Sequence, residues 1–291
     1  MRIGFIGIGL MGLPLCRRLL AAGHPLAVWN RSPEKCRPLA ELGAAVATSP
    51  AALAAGVDLL LLCVSDTAAV EAVVFGTDGI AAGAHAGLLV IDHSSIAPAA
   101  TRTLAARLAA TGVRWLDAPV SGGVIGAENG TLVIMAGGSV ADVEQARPVL
   151  MSYAQRLTRM GEVGAGQVTK VCNQLIVAAN SLLIAETVAL AEHAGVDARL
   201  LAPALAGGFA DSLPFQILAP RMAERRFEPV QWKVQTLLKD LGNALTLASE
   251  TGSSVPLASQ AEALMRRHAD SGQAAADLSS IIALHSQGAP D

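Results

Sequence analysis

Lys170 and Asn173 stand three residues apart in the run Gly164-Ala165-Gly166-Gln167-Val168-Thr169-Lys170-Val171-Cys172-Asn173-Gln174. On a helix that spacing puts an ammonium and a carboxamide on one face. Carbonyl reduction needs such a pair, because the ammonium can deliver a proton while the amide orients the oxygen receiving it. Taken alone, the lysine equally fits a side chain snorkelling from a helix start, where a cation gains nothing from the dipole. The choice turns on whether the chain also seats a hydride donor.

Such a seat is written into Gly7-Ile8-Gly9-Leu10-Met11-Gly12, which follows a short apolar run and opens a helix with Leu15, Leu19 and Leu20 on its apolar face. Gly7 permits the tight turn, Gly9 lets the backbone approach a pyrophosphate, and Gly12 allows close helix–strand packing. The helix N-terminus attracts the anion. In this context the motif predicts dinucleotide binding rather than a bare glycine-rich turn. The second strand ends in Asn30-Arg31-Ser32, where an acid would read a ribose 2′-OH and an arginine a 2′-phosphate. With no acid there, Asn30, Arg31 and Ser32 favour NADP(H), and NAD(H) stays possible; the bland alternative is an arginine on a solvated loop. Ser121-Gly122-Gly123 follows Asp117-Ala118-Pro119-Val120 and offers a hydroxyl and N–H groups suited to a carboxylate, although an ordinary strand-ending turn has the same composition.

These residues need a scaffold, and the pattern supplies one in two parts. Up to about residue 160, apolar runs at Arg2 to Ile6, Leu26 to Trp29, Leu59 to Val64, Leu88 to Ile91, Arg114 to Leu116 and Leu132 to Ala136 alternate with helical stretches. That alternation predicts βαβ units and a mainly parallel sheet. The unbroken run Leu59 to Val64 reads as a central strand covered on both faces. From about residue 166 to 194 the 3.6-residue period continues without interruption, which predicts one long, mostly buried helix. Helical segments follow near 197–206, 214–225, 233–251, 255–269 and 277–285, and the tail from Ser286 is expected to fray. The fold class is therefore α/β: a Rossmann domain over 1–162, then a long interdomain helix and an all-α domain over 163–291.

Bulk properties narrow the function. The 291 residues carry a formal charge of -3, which leaves no electrostatic footprint for nucleic acid or an anionic membrane. Asp58, Asn180 and Glu186 break up the apolar runs that come nearest to the ~18 residues of a membrane span. Cys16, Cys36, Cys63 and Cys172 show neither metal-ligand nor disulfide spacing and read as buried free thiols of a cytoplasmic protein, with no metal site. His93, beside a cofactor loop, reads as structural.

The N-terminal fingerprint, Asp117 to Gly123, Gly164 to Gln174 and Lys239-Asp240 together resemble the short-chain β-hydroxyacid dehydrogenases, over essentially the whole chain and in the family's order. Members include 3-hydroxyisobutyrate dehydrogenase, tartronate semialdehyde reductase and the glyoxylate/succinic semialdehyde reductases. The resemblance implies that Lys170 exchanges the proton, that Ser121, Gly122 and Gly123 bind the substrate's acid group, and that Asn173 hydrogen-bonds the substrate. It also implies that Lys239 lies near nicotinamide and substrate, that Ser95 touches the nicotinamide ribose, and that Val64 and Ser65 pack on the adenosine-ribose half. Gln174 departs from the second asparagine of many relatives, and Val64-Ser65-Asp66 from their Leu-Pro. The expected activity is NADPH-dependent reduction of a small semialdehyde. The likeness of Trp29 to Cys36 to the glyoxylate/succinic semialdehyde reductases favours that type. Oxidation of 3-hydroxyisobutyrate and reduction of tartronate semialdehyde use the same residues. An imine reductase or a cofactor sensor without turnover fits Lys170 poorly. The resemblance further implies a homodimer or homotetramer.

Overall fold

A computed structural model describes residues 1–285, and its contacts divide the chain into two compact units, the first ending at Lys170 and the second starting at Val171. The expected fraying from Ser286 onward lies outside the described residues.

The first unit alternates strands and helices: β1 (Ile3–Ile6), α1 (Gly12–Ala21), β2 (Leu26–Trp29), α2 (Arg37–Ala40), β3 (Ala45–Val46), α3 (Pro50–Gly56), β4 (Leu59–Leu62), α4 (Thr67–Phe75), α5 (Ile80–Gly83), β5 (Leu89–Asp92), α6 (Pro98–Ala109) and β6 (Arg114–Asp117). It continues with β7 (Val120–Ser121), α7 (Gly123–Asn129), β8 (Leu132–Gly137), α8 (Val140–Leu150), β9 (Ala154–Gly161) and the first turns of α9 (Ala165–His193). All nine strands join one sheet in the order β3-β2-β1-β4-β5-β6-β8-β7, with β9 on β8. The first six run parallel, and their order reverses direction at β1/β4, the place where this architecture holds dinucleotides. Alternating side chains explain why the central strand is apolar throughout. Leu59 and Leu61 enter the core on one face with Leu15 and Val28, while Leu60 and Leu62 enter the other with Val70 and Leu104.

Strands β3, β7 and β9 were not expected from the pattern. Two of them are two residues long, and β9 reads Ala-Gln-Arg-Leu-Thr-Arg-Met-Gly, a polar outer strand whose pairing comes from β8 rather than from its own hydrophobicity.

The second unit is helical: the body of α9, then α10 (Leu201–Leu205), α11 (Leu213–Ala223), α12 (Val234–Thr251), α13 (Pro256–His268) and a 3₁₀ segment, Leu278–Leu284. Among the described residues its extended pairing is confined to one bridge, Lys233 with Asp277. Ala178, Leu182, Ala185 and Val188 of α9 pack with Leu218, Met222, Leu237, Leu241 and Met265. A buried ion pair between Arg221 and Asp277 (3.3 Å) adds a polar tie, with Asp277 also accepting from the Gln231 N–H (2.7 Å) and from Ser279.

The contact boundary between the units falls inside α9, at Lys170/Val171, and the first turns of the helix are bonded to strand β6. Two expectations need correction. Helix α9 is not mostly buried, since Ile176, Leu183 and Leu190 are exposed along it. By length and composition it is also apolar enough to cross a bilayer, with mean hydropathy 1.6 over an 18-residue window, because Asn180 and Glu186 are too few to offset its Ala, Leu and Ile. One face of the helix nonetheless belongs to the core of the second unit.

Candidate active site

The carboxyl ends of β1 and β2 carry the candidate cofactor residues. Gly7 has φ +101°, and a Cβ there would lie 2.1 Å from the Cys63 carbonyl oxygen. At Gly12 a Cβ would lie 1.9 Å from the Gly7 oxygen, so α1 packs as close to the strand turn as a glycine allows. Gly9 is the opposite case: it is exposed, and a Cβ would meet nothing within 4 Å. That open backbone, beside Leu10 and Met11 and a helix start without a side-chain cap, fits a pyrophosphate. The Ile8 N–H donates to Asn30 Oδ1 (2.9 Å), and Asn30 Nδ2 donates to the Ser32 carbonyl (2.9 Å), so Asn30 braces the turn. Arg31 is exposed at the rim and Ser32 half-buried.

Next along the sheet edge, the Val64 N–H donates to Ser94 Oγ (3.0 Å), joining the loops after β4 and β5. Ser65 is exposed and donates to Asp66 (2.7 Å), while Asp66 caps α4 by accepting from the Ala69 N–H (2.8 Å). The departure at Val64-Ser65-Asp66 thus starts a helix. Ser95 is half-buried in the loop after β5. His93 is buried; its Nδ1–H donates to the Ala118 carbonyl (2.6 Å) and its Nε2 accepts from the Tyr153 hydroxyl (2.7 Å). Burial pushes its pKa down to about 4 against the opposing pull of the carbonyl, so it is a neutral brace.

Lys170 is buried at the end of the first unit, one turn beyond Gln167. The buried Asp117 carboxylate accepts from the Gly164 N–H (2.7 Å) and the Gln167 N–H (2.9 Å) and so caps α9 from another element. Burial raises its pKa, and the N–H groups pull it back. Ser121 ends β7 half-buried, and Gly122 and Gly123, with φ of +128° and +63°, are exposed. Only residues without a Cβ adopt such a turn readily, which keeps its backbone reachable.

In the second unit, Asn173 Nδ2 donates to Gln174 Oε1 (2.8 Å). Gln174 Nε2 donates to Asp240 Oδ2, and Lys239 Nζ pairs with Asp240 Oδ1 at 3.1 Å. Lys239 and Gln174 therefore converge on one buried carboxylate, and Asn173 is linked to it through Gln174. Cys172 is exposed, against the expectation of a buried thiol, because it lies on the outer face of α9 with Ile176. Asp117, Gln167, Ser94 and Asp240 were given no role in the sequence reading, although Asp117, Gln167 and Asp240 stand inside the quoted motifs and Gln167 shares a helix face with Lys170.

Two family models match successive parts of the chain. Residues 2–161 match the family described as the NAD binding domain of 6-phosphogluconate dehydrogenase, and residues 164–285 match NAD-binding of NADP-dependent 3-hydroxyisobutyrate dehydrogenase. The 2-hydroxy-3-oxopropionate reductase of Escherichia coli K12 is 36% identical over 97% of this chain and 96% of its own. The 3-hydroxyisobutyrate dehydrogenase of Pseudomonas aeruginosa is 35% identical over 97% and 98%. A solved structure of Mycobacterium tuberculosis 3-hydroxyisobutyrate dehydrogenase with L-serine superposes with TM-score 0.88, at 31% identity over 98% and 99% of the two chains.

Proposed function

Because this chain belongs to the β-hydroxyacid dehydrogenase family, we propose that it reduces a short-chain aldehyde acid with NADPH, Lys170 donating the proton. The NAD(P)-dependent oxidoreductase class follows from the family; cofactor preference, substrate and site roles are our reading. The observation that carries it is a buried lysine at the edge of a dinucleotide-binding sheet, on a helix bonded to the cofactor-side loops.

When bound, the nicotinamide supplies the hydride for the carbonyl carbon. Lys170 hands its proton to the carbonyl oxygen as negative charge develops there, and takes it back from the hydroxyl in the reverse direction. Ser121, Gly122 and Gly123 hold the acid group through the hydroxyl and backbone N–H groups. Asn173 orients the substrate, and Lys239 adds positive charge near the acid and the cofactor. Gly7 to Gly12 receive the pyrophosphate, Val64, Ser65 and Ser95 border the riboses, and Arg31 with Ser32 takes the 2′-phosphate. The whole-length likeness to a 2-hydroxy-3-oxopropionate reductase makes that aldehyde the first to try. Succinic semialdehyde is the second, on the likeness carried by Trp29 to Cys36. Four free cysteines support a cytoplasmic location, and the apolar stripe on α9 supports a homo-oligomer.

The test is NADPH oxidation with 2-hydroxy-3-oxopropionate, succinic semialdehyde, glyoxylate and methylmalonate semialdehyde, for the parent and Lys170→Ala. The variant is expected to bind NADPH as the parent does and to turn over roughly 10²–10⁴-fold more slowly. Near-normal turnover removes Lys170 from the chemistry, and tight NADPH binding with no turnover of any aldehyde by the parent makes the chain a sensor. Arg31→Asp is expected to move the ratio of kcat/KM values from NADPH towards NADH; an unmoved ratio means that Arg31 does not read the 2′-phosphate.

A further inference from the structure

Gln167 uses three of its four polar groups outside its own helix. Its Nε2 donates to the Ser94 carbonyl (2.7 Å), its Oε1 accepts from the Ile96 N–H (3.3 Å), and its backbone N–H donates to Asp117 Oδ2 (2.9 Å). The side-chain bonds grip both sides of Ser95. The backbone bond reaches the end of β6, four residues before Ser121. One turn further along α9 stands Lys170.

Ending a helix does not require this. Four N–H groups at a helix start lack partners, and a serine or aspartate next to the first turn, or water, would satisfy them. Here the acceptor comes from a residue 50 positions away, and the Gln167 side chain bonds to a loop 71 and 73 positions away. Such bonds fix where the helix starts relative to the sheet. The packing is built around them: a Cβ on Gly137 would lie 2.6 Å from Asp117 Oδ1, and one on Gly166 would lie 2.8 Å from Asp117 Oδ2 and 2.4 Å from the Met135 carbonyl. Glycines on both sides leave room for the carboxylate and let α9 approach β6 and β8. Asp117 and Gln167 are both fully buried, so water does not compete for these bonds.

We propose that Asp117 and Gln167 form a clamp that sets the register of Lys170 against the Ser95 loop and the Ser121–Gly123 turn, making both of them positioning residues for proton transfer. The proposal rests on Lys170 as the proton donor. Its expected size follows from geometry, since a misplacement of about 1 Å costs on the order of 10²-fold in rate.

Gln167→Met keeps the length of the side chain and removes both of its bonds, and Gln167→Glu keeps the bond from Ile96 while facing a carboxylate to the Ser94 carbonyl. Two measurements on the full chain with NADPH bound test the clamp. In amide hydrogen exchange, Gln167→Met is expected to speed exchange in peptides covering 93–97 and 164–170 and to leave those covering 7–12 unchanged. With the best aldehyde of the panel, kcat is expected to fall about 10–100-fold while the NADPH Kd stays within about threefold. In a Lys170→Met background, followed in single turnovers, the same substitution is expected to change the rate less than about threefold. Unchanged exchange in either segment overturns the clamp. So does an undiminished kcat, or an equal loss in the Lys170→Met background, either of which means that the bonds do not act through the lysine. Should Gln167→Met fail to fold, Gln167→Glu carries the same measurements. If Lys170→Met alone keeps the parent's turnover, the proton-donor reading fails, and the exchange data then decide whether the clamp exists as structure only.

Discussion

Burial determines the charge of His93, and through it part of the stability curve. Its pKa falls from 6.5 to about 4 on folding, chiefly by desolvation, with the Ala118 carbonyl opposing. The folded state therefore refuses a proton that the unfolded chain accepts. The contribution is complete above the unfolded pKa and is lost as pH falls from about 6.5 to 4, reaching ~3 kcal/mol at the acid end. His268, also lowered by burial, acts in the same direction, so the comparison must be with a variant. His93→Gln should be less stable throughout and should show a shallower fall of urea-unfolding free energy between pH 6.5 and 4; parallel curves would mean that His93 is protonated in the native state. At this scale the sequence separates two kinds of residue. Lys170, Ser121 and the Gly7 to Gly12 glycines are legible because their chemistry is local to a motif. Asp117 and Gln167 are not, because their partners lie tens of residues away and become visible only when β5, β6 and α9 meet.

Helix α1 is an element whose position and whose function depend on different glycines. At Gly12 an added methyl would strike the Gly7 carbonyl, so Gly12→Ala must push the helix off the strand turn, at a cost of about 1–3 kcal/mol. At Gly9 the methyl would meet no protein atom within 4 Å but would enter the space we propose for a pyrophosphate. Gly9→Ala is therefore expected to leave the urea midpoint nearly unchanged, within about 0.5 kcal/mol, and to weaken NADPH binding by roughly tenfold or more. Cofactor titration of the two variants beside their unfolding curves checks this; a Gly9→Ala protein with parental affinity would place the cofactor elsewhere. Strands β1, β2, β4, β5, β6 and β8 and the five helical segments of the second unit were legible for a common reason, since each hides an apolar face. Strand β9 lacks that signature because an outer strand needs only a partner. The exposed side of α9 misled for the reverse reason: its residues are apolar without being buried.

That exposed side is where the scale of the whole molecule enters. Ile176, Leu183 and Leu190 follow one another at seven-residue intervals and are 64%, 59% and 70% exposed, while Ala178, Leu182, Ala185 and Ala189 between them are buried in the second unit. A seven-residue repeat drifts by only about 20° per interval on an α-helix, so the three side chains form a nearly straight apolar seam. Isolated exposed leucines need no explanation, but a seam of this length on a chain with a net charge of -3 is costly to leave in water. A second copy of the same helix, laid antiparallel, would match Ile176 with Leu190 and Leu183 with itself about a twofold axis, the geometry of an isologous interface. Leu183 stands at the centre, and so Leu183→Glu would bring two carboxylates together in the middle of the seam. Sedimentation velocity at micromolar concentration is expected to show an oligomer for the parent and a monomer, or a smaller oligomer, for Leu183→Glu. Leu183 belongs to the second unit and the Gly7 to Gly12 turn to the first, so NADPH should still bind to the variant. A parent chain that sediments as a monomer, or a variant with unchanged assembly, would mean that the seam is covered by something other than its own copy.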